Sequence, residues 1–439
     1  MHRTAPWRDG GAQAEERNAG DPVTDEATAR QQAATGPAVL RRINAVAVLD
    51  ALRVGGPQAA RVADLAAATG LSRPAVTRAL AALTESGLVV STDADQSAGA
   101  AGTAGKLGRP AQHVRFRAEF GHVVGVDVGP HKVLAVLADL AGRTLATCQL
   151  AVPAQVDGPR LFETVRTALT AVAGRAATAP ERLLAVSVGT PGVVPPGSDT
   201  VRVAPSIPGW AGLPVVPRLR DWLNCPVTID NDVDLAVLGE QWRGGSAAAR
   251  SLVFVQWGER IGTGLVLDGR PHRGATGAAG ELGFVDLLAE PDTVPDRPLT
   301  ERLPDGLGPF EHLAGAAAIR RLARAAGAPL GPDGDTAPLF AAAAAGDAVA
   351  LAVVDQVAAR FARGLAVLLL LLDPDKVVIG GGLSRAGRTL LDPVRAHLRR
   401  HTLADTEITA SALGDGAVAV GAVRRALDLV EPQLTAALG

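Results

Sequence analysis

The feature that most restricts this fold is a pattern that occurs twice. Segments 123–128, 132–138 and 144–152 read as three antiparallel strands, followed by a helix over 159–174 and a strand over 183–188. The design restarts with a hairpin at 251–256 and 264–267. A long helix over about 347–371 then leads into a strand at Val377-Val378-Ile379. Strands alternating with helices specify α/β layers. A hairpin-plus-helix unit used twice implies two lobes with a cleft between them, and such clefts are favoured ligand sites. The Ala-rich stretch 341–345 is helix or its lead-in.

Ahead of residue 120 the pattern differs. Residues 39–53 read as a helix that Gly55-Gly56-Pro57 stops. In the next segment Val62, Leu65, Ala66 and Thr69 share one helical face. Gly70 makes a turn, and Leu71 plugs the core. Ser72 is a suitable N-cap, and Pro74 falls in the first turn, where its missing N–H costs nothing. Val76, Ala79, Leu80 and Leu83 repeat the same spacing. Ser72 and Arg73 mark the helix start, Arg78 lies on the opposite face and Thr77 on the flank. That is the arrangement of a recognition helix, whose N-terminal residues meet base edges. Glu85-Ser86-Gly87 ends it. Strands at 88–90 and 114–116 then flank a Gly/Ala/Ser/Thr-rich hairpin at 97–108, a wing. Lys106 and Arg109 are placed to reach phosphate or the minor groove. The bland alternative is a helical packing module that touches no DNA.

Charge is uneven in the same sense. Residues 37–119 hold ten Lys/Arg against six Asp/Glu, and residues 120–439 hold 29 against 33. A basic head on an acidic body suits nucleic-acid binding by the head. Two cysteines, Cys148 and Cys225, exclude a disulfide framework and a multi-cysteine zinc site, and fit a reducing cytoplasm. Arg3, Arg8 and Asp9 interrupt any secretory signal. The apolar run 365–372 falls short of the roughly 20 residues a bilayer span needs. Residues 1–36 lack an apolar period and read as a disordered tail.

Five strings recur in a fixed order. They are Gly125-Val-Asp127-Val-Gly129, Gly189-Thr-Pro191-Gly192, Asn231-Asp232 with Leu238-Gly239-Glu240, Gly277-Ala-Ala-Gly280-Glu281-Leu-Gly283, and Gly380-Gly381-Gly382. Together they resemble the ROK family of repressors and sugar kinases, within the actin/hexokinase superfamily. The head, with Arg42, Asn44, Leu49-Asp50 and Leu52, and Gly108-Arg109-Pro110, resembles the family's repressors of the xylose and N-acetylglucosamine type. The fold this implies is a two-lobed α/β actin/hexokinase-like (RNase H-like) domain over 120–439, preceded by a winged helix-turn-helix over 37–119.

In family kinases two hairpin loops hold the phosphates of ATP, and a cleft Asp deprotonates the sugar hydroxyl, which is general-base chemistry. Here both loops are altered. The kinase-type Asp-x-Gly-Gly-Thr is Asp127-Val-Gly129-Pro130-His131. Pro130 removes an N–H, and His131 replaces the phosphate-facing hydroxyl. The second loop is Gly258-Glu259-Arg260-Ile261-Gly262. Glu259 brings negative charge toward a phosphate, which Arg260 partly offsets. The pair of changes argues against ATP-dependent catalysis, although both loops also read as ordinary tight turns.

By resemblance, Asn231, Asp232, Glu281 and Glu311 are sugar contacts, with Asp232 at the position of the kinase base. Carboxylates suit the task because each accepts from two hydroxyls. The bland readings are a cation site or solvated turn over 230–234, and a helix-capping role for Glu281. Phe284 stands where the family has His, and the usual cysteine cluster is absent, so no structural zinc is expected. Phe284 offers an apolar face to a sugar ring or excludes the usual hexose.

The expectation is a sequence-specific regulator, a repressor, working as a homodimer or homotetramer on operator DNA. A sugar effector in the cleft modulates it, with no metal, ATP or membrane involved. The alternatives are an ATP-dependent sugar kinase with a DNA-binding head, and a ligand-blind DNA-binding protein.

Overall fold

The computed structural model describes residues 36–56, 58–92, 113–153, 155–286, 306–403 and 405–436. They form two compact units, divided between Phe116 and Arg117. The division falls three residues before the expected end of the head at 119. The reason is local: the Leu140 N–H donates to the Ala118 carbonyl at 3.0 Å, tying residues 118–120 to the second unit.

In the head, helices Pro37–Val54, Val62–Thr69 and Arg73–Glu85 lie with a three-stranded sheet. Its strands are β1 (Ala60–Arg61), β2 (Val89–Thr92) and β3 (His113–Phe116), in the order β1-β3-β2. The sequence pattern showed β2 and β3; β1 has two residues, too few for any period. Gly70 takes a left-handed φ of 69°, which lets the chain turn between the second and third helices. Ser72 caps the third helix by accepting from the Ala75 N–H at 3.4 Å. Val76, Ala79, Leu80 and Leu83 are all buried, as are Val48, Leu49, Leu52, Leu65, Val114 and Phe116. The expected wing tip at 97–108, with Lys106 and Arg109, lies outside the described residues, as do 1–35 of the expected tail.

The second unit contains two five-stranded sheets of one design. The first sheet holds β4 (His122–Val128), β5 (Lys132–Asp139), β6 (Thr144–Ala151), β7 (Ala185–Thr190) and β8 (Val227–Asn231), ordered β6-β5-β4-β7-β8. The second holds β9 (Leu252–Trp257), β10 (Ile261–Leu267), β11 (Arg270–Pro271), β12 (Lys376–Gly380) and β13 (Glu407–Ala410), ordered β11-β10-β9-β12-β13. In each, antiparallel pairing on one side of the first strand gives way to parallel pairing on the other. The repeat seen in the sequence is thus a structural duplication.

Each sheet has its own core. Helix Gly158–Arg175 buries Leu161, Phe162, Val165 and Leu169 with the first. Helix Ala348–Leu372 buries Val353, Val357, Phe361 and Leu365 with the second. Among the described residues no single helix is long and apolar enough to cross a membrane.

Two helices, Asp232–Arg243 and Ala417–Ala436, join the sheets. They cross so closely that a Cβ on Gly421 would lie 1.7 Å from the Leu235 carbonyl oxygen, and one on Gly239 would lie 2.4 Å from that of Ala417. The backbone of one helix backs onto β4, where a Cβ on Gly125 would lie 2.4 Å from the Ala419 oxygen. The other backs onto β10, where a Cβ on Gly264 would lie 2.1 Å from the Val233 oxygen. Glycine is required at these places for proximity rather than for turning. The result is that Asp232, the first residue of its helix, stands at the mouth between the sheets.

Candidate functional site

A cleft opens there, and its unfilled space of about 750 Å³ includes open solvent. Its wall includes Asn231, Asp232, Glu281, Phe284 and Glu311, so the structure brings together all five residues read as sugar contacts. They come from the end of β8, the loop after β11 and the helix Pro309–Ala314.

Their tasks differ. Asn231 is a helix cap. Its Oδ1 accepts from the N–H groups of Val233 (2.8 Å) and Asp234 (3.3 Å), and its Nδ2 donates to the Gly192 carbonyl at 2.8 Å. Glu311 is a staple. Its Oε1 accepts from Ile261 N–H at 2.9 Å and its Oε2 from Gly308 N–H at 2.7 Å. These two side chains hold the wall; neither offers the free carboxylate or amide that the resemblance implied. Glu311→Gln turns an amide N–H₂ toward a backbone donor, so it is expected to cost about 1–3 kcal/mol. A lowered thermal midpoint with the fold retained checks this.

Asp232 and Glu281 face the cleft more freely. Asp232 Oδ1 accepts from the adjacent Val233 N–H at 2.9 Å. Burial raises the Asp232 pKa to about 8, with the charge of Asp127 the next contributor. Burial likewise pushes Glu281 up to about 7, helped by Glu311. Burial sets Asp127 near 6, against the pull of Lys132.

The acidic run 230–234 is neither a solvated turn nor a cation site of free carboxylates. Asp230 and Asp234 are buried and share Arg273, which meets Asp230 at 2.9 Å and Asp234 at 3.6 Å. Arg425 reaches Asp230 from the last helix at 3.4 Å. Burial still lifts Asp234 to about 7. The sequence hid Arg273, since a lone basic residue in a Gly-rich loop carries no pattern. It binds that loop, and with it Gly277 to Glu281, to the helix of Asp232. Gly280 in the loop has a φ of +84°, and a Cβ there would lie 2.1 Å from the Thr263 carbonyl oxygen.

Of the two altered loops, the second lines the cleft through Arg260, Ile261 and Gly262, and the first is not part of the lining. Pro130 and His131 form the exposed turn between β4 and β5, closed by Gly129 N–H donating to Lys132 O at 2.8 Å. Lys132 then projects its ammonium to 3.5 Å from Asp127 and donates to the Asp415 carbonyl at 3.1 Å. The Asp415 carboxylate pairs with Arg385. Cationic side chains thus already meet the carboxylates beside this turn. The cation that offsets Glu259 is Arg320 and not the Arg260 expected from the sequence. Arg320 grips Glu259 with bonds of 2.5 and 2.8 Å. Arg260 turns to the Gly306 carbonyl at 2.6 Å.

Residues 123–428 match the ROK family, and residues 43–93 match the IclR helix-turn-helix domain. The chain belongs to the ROK family. Among ROK relatives, the glucokinase of Halalkalibacterium halodurans is 30% identical over 313 residues, covering 68% of this chain and 92% of that one. The xylose repressor of Caldicellulosiruptor bescii is 24% identical over 336 residues, covering 72% and 81%. A ROK transcriptional regulator of known structure, a homologue of the E. coli MLC protein, superposes with a TM-score of 0.71 at 22% identity, covering 90% of this chain and 99% of its own. That likeness establishes the fold, head included: a helix-turn-helix region followed by an actin/hexokinase-like ROK body.

In the head of this ROK protein, Ser72, Arg73, Thr77 and Arg78 are all exposed on the third helix. Thr77 Oγ1 donates to the Arg73 carbonyl at 2.9 Å, which orients its hydroxyl. Arg78 borders a shallow groove with Arg41 and Asn44 of the first helix. The sequence reading did not place Arg41 in this basic rim.

Proposed function

We propose that this ROK protein is a sequence-specific transcription regulator, a repressor, whose operator affinity is set by a sugar or sugar derivative bound in the cleft. The observation that carries the reading is the contrast between the cleft lining and the two altered loops. The lining keeps Asp232 and Glu281 open to a ligand. The loops have a proline turn with an ammonium on Asp127 nearby, and a Glu–Arg pair, where the kinase resemblance calls for phosphate-binding groups. Such a site favours sugar retention without phosphoryl transfer, so the protein acts without ATP, and no zinc is needed. The head supplies the readout. A recognition helix with exposed Arg73 and Arg78 suits major-groove contact, and two-fold operators call for at least a dimer. Ligand binding that favours one arrangement of the paired heads then shifts the population bound to DNA. A regulator of this kind works in the cytoplasm.

The test is a mobility shift on the promoter beside its own gene, with a panel of sugars. A retarded band that one sugar releases is the expected result. Retardation that no sugar alters, with no ligand-induced thermal stabilisation, would make the body a ligand-blind dimerisation unit.

A kinase reading has one observation in its favour. By the resemblance Asp232 matches the sugar-deprotonating base, and the chain is 30% identical to a glucokinase over 313 residues. A coupled ATPase assay over the same panel separates the two. Turnover that disappears in Asp232→Ala would make the protein an enzyme.

A further inference from the structure

The cleft wall has a charge imbalance. Among the described residues, Asp232, Asp234, Glu281 and Glu311 line it, with Arg260 as the one guanidinium beside them. Asp234 has Arg273 at 3.6 Å. Glu311 spends both oxygens on backbone N–H groups, and Arg260 donates to Gly306 while standing 3.9 Å from Glu311. Asp232 and Glu281 are left over. Among the described residues, neither has a cation within ion-pair distance, and Glu281 receives no side-chain hydrogen bond. Phe284 contributes an aromatic ring to the same wall.

We propose that the ligand selected by this cleft is a cationic sugar, one carrying a protonated amine, and that anionic sugar derivatives are rejected. The inference rests on the sugar-site reading above and narrows it. An ammonium has three N–H donors and no acceptor, so it can serve both open carboxylates at once. Charge-assisted hydrogen bonds are about twice as strong as those from neutral hydroxyls. An aromatic face adds attraction for a cation within about 6 Å of its centroid. A phosphate or carboxylate on the ligand would instead repel the ionised fraction of Asp232 and Glu281, whereas a cation draws off the protons they hold near neutral pH. The raised pKa values of Asp232 and Glu281 fit this picture, since an arriving cation supplies the compensation their burial lacks.

Calorimetric titration of the full-length protein near neutral pH with matched pairs tests the proposal. The pairs are glucose and glucosamine, galactose and galactosamine, mannose and mannosamine. N-acetylglucosamine and glucose 6-phosphate serve as controls. One hexosamine is expected to bind roughly tenfold or more tightly than its parent hexose, a gain of about 1.4 kcal/mol. Acetylation of the amine should remove that gain, and the 6-phosphate should show no binding. In Glu281→Gln, which keeps the shape and loses the charge, the preference should shrink while the thermal midpoint stays cooperative. A parent hexose that binds as well as its amine, or an acetylated sugar that matches it, would overturn the cationic ligand and leave the sugar site standing. Absence of binding by every sugar would overturn both.

Discussion

Arg78→Ala is expected to lower the preference for operator over random DNA by roughly 10- to 100-fold per half-site, since a bidentate base contact carries about 1–3 kcal/mol of discrimination. The thermal midpoint should not move. Arg78 is exposed on the third helix, and no hydrogen bond or ion pair ties it to another described residue. Its loss therefore leaves no buried group unpaired. Random-sequence affinity should fall much less, because phosphate contacts dominate there. Leu83→Ala is the opposite control. Leu83 is fully buried in the head, and truncating such a leucine costs about 2–5 kcal/mol, so DNA binding and the head's melting transition should fail together. Fluorescence anisotropy on operator and scrambled duplexes distinguishes the two. An Arg78→Ala protein with undiminished operator preference would remove this helix from base readout.

What the sequence disclosed follows from which physical signals are local. The helix-turn-helix was legible because its buried residues, Leu65, Val76, Ala79, Leu80 and Leu83, repeat at helical spacing and because Gly70 and Ser72 punctuate it. The hairpins β4–β5 and β9–β10 were legible because their strands are buried apolar runs between turn residues. β8 and β13 were not. β8 ends directly in Asn231, the cap of the next helix, so no loop separates the two elements. The helix Ala417–Ala436 was missed as a lobe connector, because its value lies in Gly421 meeting Leu235, a contact distant in sequence. The same limit applies to the site. Short motifs located Asn231, Asp232, Glu281 and Glu311 together. Only coordinates separate the two that hold the wall from the two that face the cleft, and show Arg273 paired with Asp230 and Asp234 and Lys132 with Asp127.

That separation makes Asp232 the position where stability and binding should move in opposite directions. The carboxyls of Asp127, Asp234, Glu281 and Asp232 have folded-state pKa values of about 6, 7, 7 and 8. The unfolded chain ionises the same groups near about 4. Between those limits these four carboxyls hold more protons in the folded body than in the unfolded chain, so their contribution to stability falls as pH rises from about 4 through 8. Each unit of displacement corresponds to roughly 1.4 kcal/mol before solvent screening and mutual coupling reduce it. Asp232→Asn preserves shape and removes the carboxyl whose pKa stands furthest above its ordinary value. The ligand-free variant is expected to be more stable than the parent at pH 8, with a gap that narrows toward pH 5 and a shallower pH slope. The same variant should lose the thermal stabilisation that a bound sugar confers, since an amide accepts poorly where the carboxylate accepted from two groups. A residue that costs the resting protein stability while carrying its ligand has a functional rather than a structural role. Thermal melts from pH 5 to 8, with and without ligand, read both effects in one series. A variant less stable at every pH, with its ligand response intact, would assign Asp232 to the scaffold beside Asn231 and Glu311.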